Sequence, residues 1–416
     1  MKYVIVHGEG MASTPHQDLG GHTVLQAAAT PSLDFLARNG ELGLAAIATD
    51  GLDSGPDAIY LAVLGYDPRK YHSGPAPFEA ASLGVALGEH DVAFRCSMVT
   101  LRSNHAPQEG PWRDEVKKLA PQVIMDDATA GVVATEEARE LIDAVNEQLG
   151  SETIQFYPGR GHQHLMVWVG GKVRATCVNP HEAVGRPIGS FLPNGDGAEI
   201  LRKVMDASLV ILRDHPINEQ RREAGLKPAN CLWLWGQGRP PRFPKLTEQH
   251  HLTGALLSTS DLIRGIGICA GLEAVEVSVS AEAGGTDSLG LAEIALRELA
   301  KKDLVYVHVE PPSESRQTTD PKARLKVVEE FERKIVRTLL EGLPKLGAHR
   351  VLVLCDHPAV GGGQARTIPP IPYVLYAGPV TQERPAGKGF SEADAEAAQD
   401  KVRDATRLMA RLLANG

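Results

Sequence analysis

Short apolar runs recur along the chain with helical patterns between them. YVIV (3–6), LAAIA (44–48), LVYVHV (304–309) and VLVLC (351–355) are rich in β-branched and long aliphatic residues and read as buried strands. TPSLDFLARNG (30–40) and ARLKVVEEFERKIVRTLL (323–340) carry apolar residues three and four apart, so they read as amphipathic helices. Asp320 can cap the second of these, and Pro321 fits its first turn. Strands alternating with helices predict an α/β fold whose mostly parallel sheet is covered by helices on both faces. In such folds sites form where strand ends meet loops. VLVLC stops on Asp356-His357 at such a place.

The texture changes between about 93 and 190. A polar segment, RSNHAPQEGPWRDE (102–115), is followed by the helical EEARELIDAVNEQLG (136–150) and the strand-like HLMVWVGG (164–171). This predicts a core domain of residues 1–92 and 191–416, interrupted by a smaller α+β domain at 93–190. WLWGQGRPPRFP (233–244) reads as the return to the core, with PPRFP a rigid crossover and Trp233 and Trp235 as packing residues. The final stretch, 391–416, reads as one capped amphipathic helix.

Composition narrows the function. A chain of 416 residues that is 43% hydrophobic has ample material for a core of more than one domain. A formal charge of −9 without clustered Lys/Arg argues against nucleic-acid and anionic-membrane partners, whose phosphates attract basic patches. Cys96, Cys177, Cys231, Cys269 and Cys355 are scattered and odd in number, and read as thiols of a reducing compartment. With an opening KYVIVHG that lacks a basic, apolar leader and no apolar stretch of membrane-spanning length, the expectation is a cytoplasmic protein.

Several segments in order, among them GEGMA (8–12), LGYDPRKYHSGPAPFEAASLGV (64–85), TAGVVATEEARELI (129–142), LKPANCLWLWGQGRPP (226–241) and DLIRGIGICAGLE (261–273), resemble the archaeal-type cofactor-independent phosphoglycerate mutases of the alkaline phosphatase superfamily. FYPG (156–159) and WLWGQG (233–238) are similar to the bacterial branch, which includes proposed homoserine kinases. The resemblance implies an alkaline-phosphatase-like core and a serine nucleophile flanked by two divalent cations, manganese, zinc or magnesium. Such cations lower the hydroxyl pKa and neutralise the transferred phosphoryl group.

The resemblance also assigns positions. Glu9 stands where the family has an aspartate ligand. The nucleophile position, ten residues before Tyr66, is Pro56, and Ser54 is the nearest hydroxyl. Two further ligand positions fall on Ser313 and Gln317 in HVEPPSESRQ (308–317), and Asp356 and His357 match the family's pair. A last ligand position, nine residues beyond His357, is Arg366, a guanidinium that repels cations. Among substrate positions Arg95, His164 and Arg221 are kept, whereas Pro75 and Gln163 replace arginines.

Together these changes remove nucleophile, cations and phosphate-binding charge. The expectation is therefore a pseudoenzyme or a repurposed module for a small molecule or a protein partner, with no bound cofactor. The alternative is an active mutase, or a homoserine-kinase-like phosphotransferase, with displaced ligands and two cations. Asp356-His357 with Glu9 is either a residual metal site or a hydrogen-bonded strand end; His308 reads as a satisfied core histidine. Arg366 could neutralise Glu9 and Asp356 by an internal salt bridge. His7, His16, His22, His105, His162, His164, His250 and His251 raise a new metal site as a further possibility. GGG (361–363) lacks the residues of a phosphate loop.

Overall fold

The computed structural model describes residues 1–47, 55–104, 116–277, 279–280, 285–286, 288–311, 320–357, 368–380, 387, 389–398 and 400–414. The expected Ser54, His105, Ser313, Gln317, Arg366 and the GGG run lie outside the described residues. The chain divides into two compact units, one from 1–72 with the described residues beyond 242, the other from 73–241.

The first unit is built on an eight-stranded sheet. Its order is Asp400–Val402, Glu41–Ala45, Ile371–Gly378, His349–Cys355, Lys2–Gly8, Leu304–Val309, Gly254–Leu257 and Glu273–Val275. Five of its seven pairings are parallel, and the Ile371–Gly378 strand makes the two antiparallel ones. The central strands are near-continuous apolar runs because both faces are covered: Val4, Val6, Val305, Val307, Val351 and Val353 are buried on one face, and Ile5, Tyr306 and Leu352 on the other.

Helices supply that cover. Pro31–Asn39 has proline in its first turn and buries Leu33, Leu36 and Ala37. Its free N–H groups are met by buried Glu332, which accepts from Ser32 N and Leu33 N at 2.8 and 3.1 Å. The helix expected after Asp320 begins as read, with the Asp320 side chain accepting from Lys322 N. A π-turn at Glu332–Val336 interrupts it, and this turn carries the Glu332 that caps the neighbouring helix.

Two element readings shift. The second strand is Glu41–Ala45, a few residues earlier than LAAIA. The C-terminal stretch is not one helix: Ser391 caps Glu392–Ala397, Asp400–Val402 joins the sheet edge, and Arg407–Leu413 ends the chain's last helix. The sheet edge wins because Val402 is buried there and its carbonyl accepts from Ala46 N at 2.9 Å.

The second unit is larger than the expected 93–190 insertion. Its antiparallel sheet runs Ile124–Asp127, Val92–Arg102, Gln163–Trp168, Ile154–Arg160, and Cys231–Gly238 also pairs with Val92–Arg102. The Trp-rich stretch is thus a strand of this unit, and the return to the first unit comes at 242. Residues 73–92 belong here because Ala76 and Ala80 pack against Ala93, Leu165 and Val167. Residues 191–230 belong because the Ala198–Arg213 helix buries Leu201, Met205 and Leu209 in the same core as Trp233. Burial across strands decided this boundary, and composition carries no trace of it. All five cysteines are free. Among the described residues no helix is long and apolar enough to cross a membrane.

Candidate functional site

The parallel register aligns the carboxyl ends of four strands. Gly8 lies level with Val309 on one side and Cys355 on the other, and Val307 is level with Leu257. The next residues, Glu9, Glu310 and Asp356, therefore emerge side by side, and Ser258 follows Leu257 beside His308, where open α/β sheets place ligands.

Two histidines at the ends of the central strands meet these carboxylates. His7, fully buried, places Nε2 3.2 Å from Asp356 Oδ2 and Nδ1 2.9 Å from the Tyr306 hydroxyl. The other Asp356 oxygen accepts from Gly10 N. His308, also buried, faces Glu9 Oε2 with Nε2 at 3.1 Å, an ion contact rather than a well-aligned hydrogen bond. Its Nδ1 lies 3.0 Å from Ser258 Oγ. The Tyr60 hydroxyl donates to Glu9 Oε2 at 2.9 Å, and Thr259 donates to Glu310 at 2.7 Å.

The charge states divide between the two histidines. Burial lowers the His7 pKa, and the opposing hydrogen bond to Asp356 does not make up the difference. Burial also acts against charge on His308, but Glu9 outweighs it and raises its pKa. Burial would push Glu9 up, yet the facing His308 and the Tyr60 hydroxyl bring its carboxyl down to about 2. Burial, helped by the nearby carboxylates, holds the Tyr60 phenol well above its ordinary value. Burial thus biases His7 toward its neutral form, while Glu9 biases His308 toward its charged form.

The remaining predicted positions fall as follows. Pro56 is the first residue of the Pro56–Val63 helix, a place that suits proline and offers no hydroxyl. Asp57 beside it is buried and held by His72 at 2.5 Å. His357 is half-buried, and burial lowers its pKa. Arg324 donates to the carbonyls of Gly10 and Ala12 at 2.7 and 3.0 Å, pinning the loop after Glu9.

The family's substrate positions all lie in the second unit, and it does not gather them. Arg95 is level with Leu165 and His164 with Cys96, so the two side chains leave opposite faces of the sheet. Arg95 pairs with Glu79 at 2.5 Å and lies over the Trp235 ring at 4.7 Å. Pro75 precedes the Ala76–Ser82 helix, and Gln163 is exposed. His164 accepts from Gly159 N at 3.0 Å.

Arg221 is held by bonds within the second unit. It is buried, and its guanidinium donates to Lys227 O at 2.9 Å, Glu137 at 2.5 Å and Ala130 O at 2.8 Å. Ala130, Gly131 and Val132 all have left-handed backbones, with φ of 52, 63 and 53°. For alanine and valine this is strain that the surroundings must enforce. Arg221→Ala is expected to cost the second unit about 3 kcal/mol, because Glu137 and two carbonyls lose their donor as the turn is released. A urea midpoint equal to the parent's would contradict that role.

Sequence reasoning placed Asp356 and Glu9 together, but it missed their partners His7 and Tyr60 and the groups behind the histidines, Tyr306 on His7 and Ser258 on His308. The legible signal was a polar residue near the end of each central apolar run, His7 in KYVIVHG and His308 in LVYVHV. His308 is buried as expected, but only its Nδ1 is hydrogen-bonded, to Ser258, while Nε2 has just the ion contact with Glu9. The salt bridge proposed for Arg366 lies outside the described residues, and histidines hold both carboxylates where it was expected. Among the described residues no three His, Cys, Asp or Glu side chains converge as metal ligands would, so the surveyed histidines build no new metal site there. With Asp356 and Glu9 already bonded and no hydroxyl at 56, the described residues do not fit a pair of divalent cations around a nucleophile.

A family model described as 2,3-bisphosphoglycerate-independent phosphoglycerate mutase matches residues 37–218. A probable enzyme of that name from Geobacter sulfurreducens is 42% identical over 413 residues, 99% of this chain and 100% of its own length. The chain belongs to this mutase family. A mutase from Methanosarcina barkeri is 38% identical over 95% of both chains. The cofactor-independent mutase of Thermoplasma acidophilum, 24% identical, superposes with a TM-score of 0.61 over 99% of both chains. A Pyrococcus horikoshii protein, 23% identical, reaches 0.75 over 99% of this chain and 96% of its own. The mutase family's α/β fold is therefore the fold of this chain, as the sequence resemblance implied.

Proposed function

We propose that this chain is a member of the mutase family that no longer interconverts phosphoglycerates, and that its fold is kept as a binding module for a small molecule or a protein partner. The observation that carries this is Pro56. The position the family gives to its nucleophile is the first turn of a helix, where proline is well suited and no hydroxyl exists to attack phosphorus. Losing a nucleophile costs on the order of a millionfold in rate. Substitution at Ser313, Gln317 and Arg366 removes charge that two cations would need. The committed state of Glu9 and Asp356 points the same way.

The test is a coupled mutase assay on 3-phosphoglycerate with manganese, zinc or magnesium, run with and without chelator. No turnover above background is expected in any condition. Turnover abolished by chelator would overturn the reading in favour of a mutase or a homoserine-kinase-like phosphotransferase with displaced ligands, which the 42% identity to the Geobacter protein makes the natural rival. Absent turnover, affinity purification from the source cell followed by mass spectrometry of bound protein and metabolite would identify the ligand.

A further inference from the structure

We infer that His7 and His308 occupy, in this chain, the role that divalent cations have in the family: they bind the Asp356 and Glu9 carboxylates, and the strand-end cluster is an internally bonded polar group that takes up no metal. This deepens the reading above and rests on it for the end of phosphoryl transfer, but it concerns metal binding and is tested without any assay of turnover.

The argument is one of donors, acceptors and space. An ionised carboxylate only accepts, so the ring nitrogen facing it carries a proton. That fixes the His7 proton on Nε2, toward Asp356 at 3.2 Å, and leaves Nδ1 to the Tyr306 hydroxyl at 2.9 Å. On His308 it fixes a proton on Nε2, toward Glu9 at 3.1 Å, with Nδ1 bonded to Ser258 Oγ at 3.0 Å. Neither ring can turn a lone pair to a cation without giving up one of these contacts. The carboxylates are similarly engaged. Both Asp356 oxygens have donors, His7 and Gly10 N, and Glu9 Oε2 accepts from Tyr60 and makes the ion contact with His308.

The space is also filled. The His7 ring lies 5.5 Å from Tyr60, 6.2 Å from Tyr306 and 5.3 Å from His308, and Tyr60 is 5.1 Å from His308. These are edge-to-face and stacked packing distances, so the four rings form one block between the two carboxylates. A cation placed among them would have to displace a buried aromatic. The anchors come from three adjacent strands and one helix, His7 from the first strand, Tyr306 and His308 from the second, Asp356 after the third, and Tyr60 from the Pro56–Val63 helix. Replacing cations in this way keeps the strand ends joined through hydrogen bonds within the chain.

The experiment is a thermal melt and an isothermal titration of chelator-treated full-length protein with manganese and with zinc, on the parent and on His308→Ala, His308→Gln and Glu9→Gln. Expected for the parent are no saturable heat of binding and no shift in melting temperature with millimolar metal or with chelator. His308→Ala leaves a partly buried carboxylate facing an emptied space, and its melting temperature is expected to fall by roughly 5–10 °C. His308→Gln keeps an N–H donor in reach of Glu9, so it is expected to recover much of that fall and keeps the test open if the alanine variant does not fold. Saturable manganese or zinc binding to the parent that disappears in Glu9→Gln would overturn the inference, as would parental melting temperatures for both His308 variants. Chelator-sensitive turnover would defeat the proposed function. Metal binding without turnover would defeat this inference and leave that function standing.

Discussion

Asp356→Ala is expected to lower the stability of the first unit by roughly 3–5 kcal/mol, more than any surface change. The carboxylate is almost completely buried and is the acceptor for two donors, His7 Nε2 and Gly10 N. Removing it strands an imidazole N–H and a peptide N–H away from water. It also frees the loop after Glu9, since the Asp356 carbonyl accepts from Ala12 N at 2.8 Å and its amide donates to Gly8 O at 3.2 Å only while that loop stays in place. Asp356→Asn keeps an acceptor for Gly10 N and lets His7 change tautomer to meet the amide, so about 1–2 kcal/mol is expected there. Urea unfolding followed by far-UV circular dichroism separates the two. Equal midpoints for both variants would mean that the bonds described do not hold the strand ends.

The second large effect is on acid stability, and it belongs to the other unit. Burial brings the His164 pKa down to about 3 and the His162 pKa down to about 4. Both are then neutral in the folded chain at pH values where the unfolded chain protonates them. Their contribution is complete above the ordinary histidine value of 6.5 and is lost as pH falls from there toward about 4 for His162 and about 3 for His164. For His164 the loss is on the order of 4 kcal/mol across that window. All four tryptophans (Trp112, Trp168, Trp233, Trp235) fall within 73–241, so their fluorescence reports this unit's unfolding. Urea midpoints should decline from pH 7 to pH 4, and His164→Asn, whose oxygen can still accept from Gly159 N, should flatten the decline. A midpoint independent of pH in the parent would refute the burial argument. The Glu9–His308 pair behaves differently. Its carboxylate share is complete above pH 4.5 and is lost only toward about 2, while the His308 share is present below pH 6.5 and fades as pH rises through its elevated pKa.

Much of the first unit can be read from single runs of sequence. VLVLC and LVYVHV have no polar alternation, and only strands covered on both faces tolerate that. Asp320-Pro321 marks a helix start by a local bond that needs no tertiary partner. The domain boundary was illegible because it depends on which strand accepts WLWGQG as a neighbour. That register, Val99 level with Cys231, joins residues more than a hundred positions apart. The last helix failed for a related reason. A sheet edge with open backbone groups claimed Asp400–Val402 from a segment whose own preference was helical.

By itself the sequence determined the family, the α/β class and the absence of a hydroxyl at Pro56, since these depend on residue identity and local periodicity. Only the tertiary structure decided what Glu9 and Asp356 hold. Their partners His7, His308 and Tyr60 come from separate segments, and the parallel register of three strands with the Pro56–Val63 helix brings them together. It likewise gave Arg221 its bonds to the carbonyls of Lys227 and Ala130, because hydrogen-bond partners are a property of the folded chain.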